Sequence, residues 1–177
     1  MPIYFKVLKD GRSCHGGVFG WSLPNGDTPG DWHETHIVRL CHAGFHLTTN
    51  PERWQAEGGT AFVADGAGYS VGDGGDKMAF ARARLRRVAT IEDLLPFPAT
   101  LLRQHADKLS PEQLGRAAES RPGEALRFAA DKLSPEQLGR AAESRPGEAL
   151  QFAADKLSPE QLGRAVKDAP WEALQFA

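Results

Sequence analysis

The stretch at residues 107–130, DKLSPEQLGRAAESRPGEALRFAA, returns at residues 131–154 with Gln151 in place of Arg127, and a diverged third copy fills residues 155–177, ending VKDAPWEALQFA. A unit of 24 residues cannot bury its own apolar side, so tandem copies must stack on one another. Within a unit, Ser110 is placed to cap a helix with Pro111 at its first position, and Gln113 stands where a capping box needs it. Leu114, Ala117 and Ala118 follow at helical spacing after Leu109, a candidate staple. Pro122 then starts a second short helix with Ala125, Leu126, Phe128 and Ala129 on its inner face. The expected core is Leu109, Leu114, Leu126 and Phe128 with their counterparts in the next two copies, out to Leu174 and Phe176.

Upstream the composition changes: most of the 19 glycines lie before residue 76, and all the long repetition lies after residue 106. IYFKVL alternates as a strand, VFGWSL reads as a second, THIVRLC as a third with GFHLT extending or following it, and TAFVA as another. PNGDTPGDW is a loop, and DGAGYSVGDGGDK is a glycine-rich turn region. Asn50 with Pro51 opens a short helix in NPERWQAE; MAFARARLRRVATI is a long strand and TIEDLLPF a helical turn. Trp21, Trp32 and Trp54 are expected to fill a β core short of aliphatic residues. The fold class is α+β: a small, mostly β domain over residues 1–100, then a short α-solenoid of 24-residue two-helix repeats over residues 101–177.

With 41% hydrophobic and 25% charged residues and a net charge of -2, the chain lacks the positive balance of a nucleic-acid binder. No apolar run is long enough for a membrane span and the opening MPIYFKVLKD has no signal-peptide core, so a cytoplasmic protein with Cys14 and Cys41 as thiols is expected. The repeats carry acids and bases in near balance, which suits a protein partner or self-association better than a phosphate backbone. No polar cap closes the last unit, and Trp171 either caps the stack or meets a partner.

Chemistry-bearing residues concentrate around LCHAGFHLTTNPERW at residues 40–54. Cys14, Cys41, His42 and His46 are the soft and imidazole ligands zinc would take, although their spacing matches no established zinc pattern. A thiol nucleophile would be Cys41 or Cys14 beside a histidine, His15 and His46 being the candidates. Gly72 to Lys77, GDGGDK, lacks the Gly-Lys-Ser/Thr ending of a phosphate loop. Arg82, Arg84 and Arg86 would form a positive row on one strand face.

Three resemblances bear on these residues. The L-S-P-E-Q-L and P-G-E-A-L-x-F-A-A phrases resemble the leucine-rich variant repeats of bacteria, which alternate an α-helix with a 3₁₀-helix; the matching region has EALRFAA once and EALQFA twice, so a basic concave surface is not carried over. GFHLTTNPERW is similar to the second motif of ADP-ribosyltransferases, which implies NAD in a groove, Arg12 or His15 as the early-strand residue, and Thr48 and Thr49 as the hydroxyl pair. The acid of that family would have to be Glu52 or Glu57, and neither stands on a late strand. From Tyr4 to about Val88 the chain resembles an uncharacterised small domain of phages, plasmids and bacteria, with its Cys near an early glycine turn and the C-x-x-G-F-H phrase of Cys41 to His46.

The expected role is therefore an interaction or assembly module with a ligand site in the β domain. The alternatives are an NAD-using ADP-ribosyltransferase or a thiol-dependent enzyme, drawing on His15, Cys41, His46 and Thr48, with Arg12 and Thr49 toward the cofactor.

Overall fold

The computed structural model describes residues 2–13, 18–56 and 58–175. Its contacts divide the chain into two units, Met1–Asp93 and Leu94–Ala177. A small β domain is thus followed by a helical region of paired helices.

In the first unit the long strands β5 (Thr60–Gly72) and β6 (Lys77–Val88) form an antiparallel hairpin. β1 (Tyr4–Lys9) pairs with β5 from Tyr4 opposite Ala64 to Leu8 opposite Thr60. β4 (Phe45–Thr48) pairs with β6 from Phe45 opposite Phe80 to Thr48 opposite Lys77. β4 also meets β1, at the single pair Phe5 opposite Thr48, which closes the circuit β1–β5–β6–β4. Two short strands complete the sheet: β2 (Arg12–Ser13) on β1 and β3 (His33–Glu34) on β6. Alternation along β6 sends Ala83 and Leu85 into the core with Leu8, Trp21, Leu47 and Phe62. Arg82 and Arg84 on the other face lie over the Trp32 ring and pair with Glu34 (2.8 Å) and Asp65 (2.9 Å), so much of this positive row is neutralised in place.

Several sequence expectations are corrected here. VFGWSL is not a strand: Gly20 makes one bridge to Arg12, and the Ser22 N–H is taken by the His33 side chain instead of a neighbouring strand. THIVRLC is not a strand either, because Arg39 and Ala43 close a tight turn on each other and Cys41 adopts a left-handed φ of 65°. The glycine-rich region is mostly strand. Gly66 and Gly72 let β6 come close, since a Cβ at Gly66 would sit 2.7 Å from the Phe80 ring. Trp21 is buried, whereas Trp32 and Trp54 are only half-buried under cationic side chains.

In the second unit the repeats place α3 (Pro111–Ser120), α5 (Pro135–Ser144) and α7 (Pro159–Asp168) in register, each with its serine–glutamine capping box closed. Each is followed by a second helix, α4 (Pro122–Ala129), α6 (Pro146–Ala153) and the short α8 (Pro170–Ala173); 3₁₀ turns follow α4 and α6. α3 packs on α5 and α4 on α6, burying Leu114, Leu126, Leu138 and Leu150 with a lining of alanines. The capping glutamines also tie repeats together: Gln137 Nε2 donates to the Pro111 carbonyl (3.3 Å) and Gln161 Nε2 to that of Pro135 (3.2 Å).

α1 (Ile91–Leu94) ends where the second unit begins, and α2 (Pro98–His105) runs through the boundary read near residue 100. α2 and its 3₁₀ turn Ala106–Lys108 have the form that α4 and its turn take 24 residues later; PATLLRQHADK is a degenerate version of PGEALRFAADK. Phe128 and Phe152 are not core residues. They are half-buried, with Arg127 over both rings and Arg103 also over Phe128, because small alanines already fill the interior. Leu174 and Trp171 are exposed, at 69% and 78%, and Phe176 lies outside the described residues. Among the described residues no helix is long and apolar enough to cross a membrane.

Candidate functional site

Because β1 and β4 share only one ladder pair, a groove of about 720 Å³ opens along their seam. Consecutive residues of both strands line it, Phe5 to Val7 and Phe45 to Thr48, as expected for a cleft that follows two strand edges and not one face. Lys6 Nζ donates to the His46 carbonyl across this seam (3.2 Å) and lies 5.4 Å from the Trp21 ring centre. Opposite, Lys77 Nζ sits 4.5 Å above the Trp54 ring and donates to Cys41 Sγ at 3.3 Å.

The Arg39–Ala43 turn presents Cys41 at the groove. Its left-handed backbone is held by a hydrogen bond in which the Cys41 N–H donates to His46 Nε2 (2.9 Å). Burial, then the ammonium groups of Lys77 and Lys6, hold His46 below its ordinary imidazole value of 6.5; hydrogen bonds with the Arg39 and Gly44 backbone oppose this. A neutral ring is what an Nε2 acceptor requires.

The floor at the end of β4 is fixed by Asp76. Its carboxylate accepts from the Thr48 hydroxyl (2.8 Å), Trp54 Nε1 (2.8 Å) and Arg53 Nη1 (2.7 Å). Burial pushes the Asp76 carboxyl up, but these donors outweigh it and hold the group below its ordinary value. At the other end, Phe19 is set edge-on against His33 (4.9 Å), Phe45 (5.5 Å) and Trp21 (5.7 Å).

The groove thus brings together Cys41, His42, His46 and Thr48. It does not bring in Arg12, exposed on β2, or Thr49, whose N–H bonds the Asp76 carbonyl. Cys14, His15 and Glu57 lie outside the described residues, and Glu52 stands in the 3₁₀ turn Pro51–Trp54 and does not line the groove. For zinc, no group of three or more His, Cys, Asp or Glu residues could hold a metal among the described residues, and one nitrogen of His46 is already taken by Cys41. Lys6, Lys77 and Phe19 were missed in the sequence. The available signal was Lys6 standing between Phe5 and Val7 in an otherwise apolar strand.

Comparison with known proteins adds nothing to this geometry: no family model, curated protein or solved structure matches the chain.

Proposed function

We propose that the chain is an interaction module in which the β domain takes up a small ligand and the helical repeats hold a protein partner or another copy of the chain. The observation that carries this reading is the groove on the β1–β4 seam, whose volume lies within the roughly 300–1,000 Å³ of small-molecule sites and which combines aromatic walls with a few convergent polar groups. The repeats support it as a short α-solenoid resembling leucine-rich variant repeats, a scaffold suited to extended contact surfaces. The resemblance of residues 4–88 to the small phage and bacterial domain, carried by Cys41, Gly44, Phe45 and His46, is consistent with a self-contained module.

Cys41 supplies the test, because it is an exposed thiol on the groove lining. In a Cys14→Ser background, a set of neutral, cationic and anionic ring fragments is screened for slowing of Cys41 alkylation by iodoacetamide. Saturable protection by at least one fragment is expected. Unchanged alkylation throughout the set overturns the reading.

A thiol-dependent activity is the second reading, favoured by the Lys77 ammonium 3.3 Å from Cys41 Sγ. The ADP-ribosyltransferase reading draws on His46 and Thr48 in the same groove, but its proposed NAD contacts Arg12 and Thr49 do not line it.

A further inference from the structure

We infer that the ligand of the β1–β4 groove is a planar ring bearing a phosphate monoester, bound with the phosphate between Lys77 and Lys6 and the ring toward Phe19. This rests on the groove being a ligand site and names what it takes.

Charge selects the anion. Lys77 and Lys6 both line the cavity and meet the same pair of residues: Lys6 Nζ bonds the His46 carbonyl at 3.2 Å, and Lys77 Nζ bonds the thiol of Cys41, whose N–H donates to the His46 ring. Among the described residues the one carboxylate on the lining, Glu34, is already paired with Arg82 at 2.8 Å. Lys77 has no carboxylate partner among the described residues: its neighbours are the Cys41 thiol and the Trp54 face. An ammonium has three donors, so the bond to sulfur leaves two for an anion. Two lysines meeting one neutral imidazole suit a doubly charged group better than a single carboxylate.

Shape selects the ring. Phe19 is 42% exposed although three aromatic neighbours fix it edge-on, which makes it a rigid platform with apolar surface left open. Val18 beside it is 88% exposed and also lines the groove. Surface of this kind is covered by a flat apolar group, and stacking on such a platform is tolerant of which ring arrives. At about 720 Å³ the cavity is large enough for a ring and a phosphate together.

The test uses the full chain with AMP, 4-nitrophenyl phosphate, adenosine and inorganic phosphate, followed by calorimetry and by protection of Cys41 from alkylation. Saturable binding of at least one ring phosphate is expected, with adenosine and inorganic phosphate each roughly tenfold weaker. Lys77→Gln and Phe19→Ala should each weaken the ring phosphate by about tenfold while keeping the circular dichroism of the parent, and Phe19→Leu, which keeps apolar bulk against Trp21 and Phe45 but offers no ring face, should weaken it as well. The two ring phosphates separate a nucleotide from a simpler aryl ester. Adenosine binding as well as AMP would overturn the anion, and inorganic phosphate binding as well as either ester would overturn the ring. If no ring phosphate binds while a neutral or cationic fragment protects Cys41, the ligand class is wrong and the groove remains a ligand site. If nothing in either set binds, both readings fall.

Discussion

The Thr48 hydroxyl donates to Asp76 Oδ2 at 2.8 Å, fastening the end of β4 to the turn that leads into β6. The same carboxylate takes Trp54 Nε1 and Arg53, so one side chain, 12% exposed, ties three segments beside the groove. Asp76→Asn leaves a neutral amide where donors converge and should cost about 1–3 kcal/mol, read as a lower urea midpoint and a red-shifted tryptophan emission. Because the folded carboxyl sits below 3.8, its stabilisation is complete above that pH and is lost as pH falls through the folded value. The variant should therefore show a flatter acid limb than the parent; identical limbs would remove Asp76 from this role.

Asp93 carries the larger acid sensitivity. Hydrogen bonding to Arg87 is the main cause that brings its carboxyl from 3.8 to about 2, and the Thr90 N–H and hydroxyl add to it. A depression of that size corresponds to an upper value of about 2 kcal/mol, since Arg87 is itself partly solvated. Asp93→Asn should lose up to this much at pH 7. The gap from the parent should narrow below pH 3.8 and close near pH 2, and a gap that persists there would assign the loss to packing instead of ionisation.

His46 titrates in the opposite sense to an ion-paired histidine. Its folded value lies below 6.5, so between that value and 6.5 the unfolded chain binds more protons; stability rises with pH across this window and is lost as pH falls through it. Protonation also removes the acceptor for the Cys41 N–H, so the Arg39–Ala43 turn should open on acidification. Imidazole resonances should give a midpoint below 6.5 that moves upward in Lys77→Met and, separately, in Lys6→Met. No movement in either variant would show that the lysine charges do not reach this ring.

What could be read in the sequence followed local rules, and what could not depended on distant partners. Ser110, Pro111 and Gln113 act within one turn of helix, and the structure shows that capping box in all three repeats. Phe128 looked like core by spacing alone; its ring is instead covered by Arg127 of its own helix and by Arg103, which α2 brings from 25 residues away. THIVRLC alternates well enough for a strand, yet a turn closed by Arg39 and Ala43 overrides the pattern and turns Cys41 toward Lys77. Thr48 and His46 were singled out as chemistry, and both hold structure around the groove. The seam itself exists because β1 and β4, separated by the whole loop region, pair once.

The repeated glycines offer a test with an internal control. In α3 and α5, Gly115 and Gly139 lie under the capping glutamine of the next repeat; an added Cβ would stand 2.6 Å from Gln137 Nε2 and Gln161 Nε2 respectively. Alanine there gains about 1 kcal/mol of helix propensity but displaces an amide that bonds the preceding repeat's carbonyl, losing about the same amount. Gly163 occupies the equivalent place in α7 and has nothing within 4 Å, so Gly163→Ala keeps the propensity gain without the loss. Thermal melts should show Gly163→Ala raised above the parent and Gly115→Ala and Gly139→Ala level with it or below. Three equal increases would mean that the glutamines move aside freely and that the contacts between repeats rest on the leucine and alanine core alone.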